Sequence, residues 1–202
     1  MLKEIKCDKF ASDHQVIYFN SGLNTVLGST GGSNAIGKST FLWIIDYVFG
    51  GESYCSLTGD IKKEIGSHTI YFKFEFDGQP YYFYRNTDDP KNVYQSDKEH
   101  HFIAKLSLED YRRFLFQEYK IGLLALSFSD ITERFFRIYG RENTLEKYPL
   151  LVKPREQDEK AVDFLLKLFG QYEILISIKS MEEELGIKAS QLINRQRQKV
   201  DI

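Results

Sequence analysis

Residues Gly32-Ser33-Asn34-Ala35-Ile36-Gly37-Lys38-Ser39 spell G-x-x-x-x-G-K-S, with Thr40 next. Residue types in this order meet one chemical need, which is to hold a polyphosphate. Backbone N–H groups must turn inward around the anion, and glycines allow that close approach. A helix starting at Lys38 adds unpaired N–H groups and the positive end of its dipole. Lys38 can then reach the β- and γ-phosphates, and the Ser39 hydroxyl can hold Mg²⁺. The spacing assigns nucleotide contacts to Gly32, Ser33, Asn34, Ala35, Ile36, Gly37, Lys38, Ser39 and Thr40. It gives Lys38 the catalytic charge and Ser39 the metal, with ATP and Mg²⁺ as cofactors.

Three elements must position that loop. Leu23–Leu27 is a short apolar run that predicts a buried strand. Gly28–Gly37 is rich in Gly, Ser and Asn. Lys38–Phe49 is apolar on nearly every side, broken mainly by Asp46, and predicts a buried helix stopped by Gly50–Gly51. Gly28 by strand register, or Gly32 by its spacing to Lys38, opens the loop; the spacing favours Gly32.

The 202 residues suffice for one substantial domain with a core, and 16 Phe and 13 Tyr predict an aromatic one. A formal net charge of -2 does not mark the chain as a nucleic-acid binder by bulk electrostatics, which leaves room for a local basic patch. Cys7 and Cys55 stand apart without ligand spacing and read as two reduced thiols. With no signal segment and no apolar run near membrane-spanning length, the reading is a soluble, cytoplasmic protein with no membrane partner.

Met1–Phe10 alternates like a first strand, and Gln15–Phe19 like a second. His68–Phe76 and Pro80–Arg85 predict a hairpin around Asp77-Gly78-Gln79. Its aromatic ladder could stack bases, but no Lys/Arg cluster accompanies it, so sheet packing is the favoured role. Asn86–His101 reads as a loop or short hairpin, with His100 and His101 a solvated pair. Ser107–Tyr119 predicts a helix capped by Ser107. Ser127–Tyr139 predicts another, ended by Gly140, with Leu124, Phe128, Ile131, Phe135 and Ile138 on its buried face. Arg134 and Arg137 read as surface arginines, with anion contact the alternative. Beyond a linker at 149–156 come a helix over Glu159–Phe169 and a heptad-like row, Ile174, Ile178, Met181, Leu185 and Leu192.

Phe19–Gly28 (F-N-S-G-L-N-T-V-L-G) followed by Asn34–Thr40 (N-A-I-G-K-S-T) resembles the amino-terminal half of an SMC-type ATPase head. That class includes SMC proteins, RecN, RecF and related ABC-type ATPases. Closest in pattern are bacterial SMC-like ATPases with N-S-I-G-K-S-T and a Gly-Gly helix end. The likeness is specific over about the first 50 residues. Family members pass from the strand glycine into P-N-G-x-G-K-S, whereas here four more residues separate Gly28 from Lys38, and Ala35 replaces a common Gly. The resemblance implies that Lys9–Ser12 approach the base, that the heptads open a coiled coil, and that two heads close on sandwiched nucleotide, with DNA as the substrate surface. A Gln-containing coupling loop is also implied, and Gln117 matches it poorly.

Hydrolysis needs an acidic Mg²⁺ ligand and a group that places water. No apolar run ending in Asp-Glu occurs, and L-S-G-G is absent. The resemblance puts both in a carboxy-terminal half, on the same or a separate chain. The expectation is therefore an α/β P-loop NTPase half-head of the ABC/SMC type: a mixed sheet around one P-loop helix and a helical lobe over 1–148, a linker at 149–156, and helices leading into a coiled coil over 157–202. It would act as a homodimer through the nucleotide sandwich. The alternatives are a non-hydrolysing coiled-coil scaffold and a stand-alone P-loop phosphotransferase.

Overall fold

A computed structural model describes residues 1–10, 15–27, 37–56, 63–122, 126–141, 147–153 and 155–200, with backbone only for 194–200. Six strands form one sheet in the order β2-β1-β3-β4-β5-β6. They are β1 (Leu2–Lys6), β2 (Val16–Tyr18), β3 (Thr69–Phe76), β4 (Gln79–Asn86), β5 (Asn92–Ser96) and β6 (Phe102–Ser107). On β3 the period of two is complete: Ile70, Phe72, Phe74 and Phe76 are buried, while Tyr71, Lys73 and Glu75 are half-buried. Asp77 (φ 49) and Gly78 (φ 80) are both left-handed, the geometry of a tight turn matched to strand twist. Full β3–β4 register from Thr69↔Asn86 to Phe76↔Gln79 follows.

The sheet corrects one expectation. Every pairing among the described strands is antiparallel, so it is not mixed. A parallel strand needs a crossover, and the one segment that could supply it, Leu23–Leu27, is in no strand. Those residues are exposed rather than buried, Leu23 at 92% and Leu27 at 80%. The Asn24 side chain instead closes a local turn, accepting from Asn20 N at 2.9 Å and donating to Asn20 O at 3.0 Å.

The outer sheet face carries a cross-strand row, Lys6–Tyr71–Tyr84–Tyr94–Lys105. Tyr84 and Tyr94 stack at 5.0 Å with 8° between planes, and His100 lies 4.4 Å from Tyr71. The rings cover one another's faces, which suits packing better than base stacking. Of the expected solvated pair, His101 is exposed and bonds Asp97 at 2.9 Å, whereas His100 is half-buried and leans on Tyr71.

The inner face packs on α1 (Lys38–Val48) and α3 (Leu108–Glu118), with the short α2 (Ser53–Ser56) between them in sequence. Ser107 caps α3 by accepting from Asp110 N, as its sequence predicts. α4 (Phe128–Phe135) starts at a capping box of Ser127 and Asp130. It stops at Phe136, whose ψ of 90° is extended, four residues before Gly140. The periodic face expected through Ile138 is therefore interrupted: Phe128 and Ile138 are buried, but Phe135 is 56% exposed. Leu124 lies outside the described residues.

The chain divides into two units, Met1–Gly122 with Ser127–Pro154, and Leu123–Leu126 with Arg155–Ile202. In the second, α5 (Asp158–Leu168) ends at Gly170 (φ 70) and α6 (Tyr172–Val200) begins. Lys179 ties α6 to Asp163 at 2.7 Å. Ile174, Ile178, Met181, Leu185 and Leu192 form an exposed row on α6.

Candidate functional site: the amino terminus of helix α1

Gly37 is the N-cap of α1 at φ 72, ψ 13, a left-handed conformation that a residue without Cβ adopts at no steric cost. No side chain caps this terminus and no acidic residue occupies its first turn. Among the described residues no anion compensates the first-turn N–H groups and the dipole, which suits an incoming one. Lys38 and Ser39 are exposed there, and no ion pair or hydrogen bond engages the Lys38 ammonium among the described residues. Phe41 anchors this end, stacking on Phe19 at 6.1 Å.

A cleft of about 670 Å³ opens beside it, lined by the N-cap Gly37, by Lys38, Thr40 and Phe41 from α1, and by Lys9 and Phe10 from the turn after β1. Lys9 and Phe10 belong to the stretch that the resemblance puts near the base; Ala11 and Ser12 lie outside the described residues. So do Gly28 and Gly32, Ser33, Asn34, Ala35 and Ile36. Ser39 is not among the lining residues. Cys7, Ile44, Tyr54 and His68 line the cleft as well. His68 Nδ1 lies 2.9 Å from Gly66 O, so it carries the proton, and Nε2 accepts from the Tyr54 hydroxyl at 2.9 Å. Burial pushes the Cys7 thiol pKa up, and Cys7 and Cys55 are thiols rather than disulfide partners.

At its other end α1 is gripped by groups that the sequence did not advertise. Arg85, fully buried on β4, donates to the carbonyls of Tyr47, Gly51 and Pro90, and its guanidinium lies 3.7 Å from the Tyr47 ring. Tyr111 donates to Val48 O at 2.7 Å, and Arg112 to Gly50 O at 2.6 and 3.0 Å. These donors satisfy carbonyls that a helix C-terminus leaves unpaired, and their positive charge suits the dipole. Asp46, 1% exposed, takes a bidentate pair from Arg141 at 2.9 and 2.9 Å. Parity was the one available signal: Phe83 and Arg85 share the inward face of β4.

Arg134 and Arg137 are neither surface arginines nor free for an anion. Arg134 is 8% exposed and donates to Leu150 O; Arg137 donates to Leu151 O at 2.7 Å and to Pro149 O. They fasten the 149–151 segment, where Leu151 is buried. Gln117 is exposed on α3 and away from the cleft.

A family model described as an AAA domain matches residues 4–201. The chain belongs to the AAA domain family. It is the family found in ATPase heads of the SMC, RecN and RecF type, in keeping with the resemblance carried by residues 19–40. Among curated proteins, none matches the chain. Membership in the AAA domain family implies nucleotide binding, and usually Mg²⁺ use. The described residues fit the nucleotide: an uncapped helix N-terminus, a left-handed glycine and an unengaged lysine face one cleft. They fit the metal less completely, because no group of three His, Cys, Asp or Glu that could hold an ion occurs among them. No described helix of this AAA domain is long and apolar enough to cross a membrane.

Proposed function

We propose that the chain binds ATP·Mg²⁺ through Gly32–Thr40 as the amino-terminal part of an SMC-like ATPase in the cytoplasm. Lys38 would meet the β- and γ-phosphates, the first-turn N–H groups of α1 would hold the α- and β-phosphates, and Ser39 would contribute one Mg²⁺ ligand. Head-to-head closure on sandwiched nucleotide, with DNA as the surface acted on in repair, chromosome maintenance or defence, completes the reading. The observation that carries it is the bare N-terminus of α1 presenting Gly37, Lys38 and Thr40 to a cleft, in a chain of the AAA domain family.

The exposed run Leu23–Leu27 supports the incompleteness of this head. Apolar residues of strand-forming type pair with none of the described strands and stand at the cleft wall, where Thr25, Val26 and Leu27 line it. Strands from a carboxy-terminal half, on the same or another chain, would pair with this run and bring the acidic Mg²⁺ ligand. The exposed row on α6 suits a coiled-coil partner helix.

Two measurements test the proposal. Titration with a fluorescent ATP analogue should give saturable binding that Lys38→Ala abolishes, with circular dichroism unchanged. Phosphate release by residues 1–202 alone should be close to background, because positioning and charge stabilisation carry most of phosphoryl transfer. Adding the carboxy-terminal half should restore turnover that rises more than linearly with protein concentration. Robust, linear turnover by this chain alone, lost in Lys38→Ala, would show a complete enzyme instead.

A further inference from the structure

The phosphate end of α1 is the less supported one. Lys38, Ser39 and Leu42 are exposed, whereas Trp43, Ile44, Asp46, Tyr47 and Val48 are buried. The first turn therefore projects from a clamped carboxy-terminal half, and its place depends on how that half is held. Trp43 and Asp46 lie one turn apart on the same side of α1, and the segment after α4 runs over both. Gly140 (φ 92) sits against the Trp43 ring, and the Arg141 guanidinium lies 5.4 Å from that ring. Arg141 also donates to Ser53 Oγ at 3.1 Å. A Cβ added at Gly51 would meet Asp46 Oδ2 at 2.0 Å, so the carboxylate fills the space that a side chain at position 51 would need, and only glycine leaves the pair its room.

We infer that the Asp46–Arg141 pair sets the tilt and roll of α1, and with them the presentation of Gly37, Lys38 and Thr40 to the cleft. The inference rests on the nucleotide-binding reading above and adds a control point to that site. Arg141 is a positioning residue: it touches α1 and leaves the ligand to others. Two parallel N–H···O bonds fix the carboxylate plane as well as its distance, which a point-charge lysine cannot do. Leverage makes the effect large. Eight residues separate Lys38 from Asp46, about 12 Å along the helix, so a tilt of ~10° at Asp46 moves Lys38 by about 2 Å. Arg141 follows the end of α4 by six residues, so a displacement of that end is passed through 136–141 to Asp46 and on to the phosphate end.

The test uses the full chain and the variants Arg141→Lys and Arg141→Ala. ATP-analogue affinity is measured well below each variant's unfolding temperature, beside hydrogen exchange of the Phe41–Ile44 amides without nucleotide. Arg141→Ala is expected to weaken binding about tenfold, as if only a tenth of the molecules present the first turn correctly. Arg141→Lys should fall between it and wild type while keeping most of the thermal stability. Exchange at Phe41–Ile44 should quicken in both variants, with β3 and β4 protection unchanged. A lower Tm with unaltered affinity and unaltered Phe41–Ile44 exchange would overturn the inference and leave the pair a packing feature only. If wild type binds no ATP, the nucleotide reading fails, and the exchange comparison alone decides the positioning claim.

Discussion

Replacing Arg85 by Met should destabilise the protein by about 3 kcal/mol, a figure that follows from the groups around the guanidinium. Arg85 is 0% exposed and donates to three carbonyls, those of Tyr47, Gly51 and Pro90. Hydrogen bonds from a charged donor contribute about 1.5–3 kcal/mol each, so the gross loss is roughly 4–9 kcal/mol. Methionine recovers part of it. It fills the volume of the stem and removes a buried charge whose desolvation costs several kcal/mol, a cost visible in the downward pKa shift of Arg85 on burial. Tyr47 O keeps its bond from Gly50 N at 3.0 Å, but Gly51 O and Pro90 O lose the donor that Arg85 gave them, and buried acceptors without partners cost about 1–3 kcal/mol each. The remainder is a large share of the 5–15 kcal/mol that typically holds a domain together, about a factor of 100 in the folding equilibrium. Urea unfolding followed by circular dichroism reads it, with the m-value as a check on two-state behaviour. A loss below about 1 kcal/mol at constant m would refute the reasoning, since it would mean that the clamp on α1 does not depend on those three bonds.

Asp46 gives a prediction with a definite sign. Burial pushes its carboxyl pKa above the ordinary 3.8, outweighing the attraction of Arg141. Between 3.8 and the raised native value the folded state binds the proton more readily than the unfolded chain. This residue's contribution to stability therefore grows as pH falls and is lost as pH rises through the native pKa. The stability gap between wild type and Asp46→Asn should widen on acidification in urea melts; a constant gap from pH 7 to pH 4 would contradict it. Binding of duplex DNA by this chain alone should be weak, with Kd on the order of 10⁻⁴–10⁻⁶ M and strongly salt-dependent, because the net charge is -2. A nanomolar complex that survives raised salt, measured by fluorescence anisotropy, would return the tyrosine row to the role of a binding surface.

Elements with a complete local signal were legible before any coordinates. The 69–86 hairpin carries strict alternation and a turn whose two residues accept positive φ. Ser107 and Ser127 each stand three residues before an aspartate that completes the cap. The phosphate-loop spacing located the N-terminus of α1 to the residue. What stayed hidden depends on partners distant in sequence. Leu23–Leu27 has strand composition, but composition cannot show that none of the described strands pairs with it. Arg134 and Arg137 look like solvent arginines until the carbonyls at 149–151 arrive beneath them. Arg85 breaks the rule that inward strand positions are apolar, and only its three carbonyl acceptors explain why a charge is tolerated there.

The strand order carries a consequence for synthesis. β3 to β6 form a meander with neighbours paired in sequence, whereas β1 pairs with β3 across the whole excursion that holds α1. A ribosome makes α1 before most of its seat exists: β1 and Phe19 come earlier, but the Phe72 and Phe83 faces, Arg85 and Tyr111 all come later. At 5–20 residues per second, the chain from Val48 to Tyr111 takes roughly 3–13 s to appear. For that interval Trp43, Ile44, Tyr47 and Val48 lack most of the sheet that covers them. Meander formation from local contacts is fast by comparison, so the sheet is ready when Tyr111 emerges. The segment proposed to hold nucleotide is thus made well before most of the sheet that encloses α1.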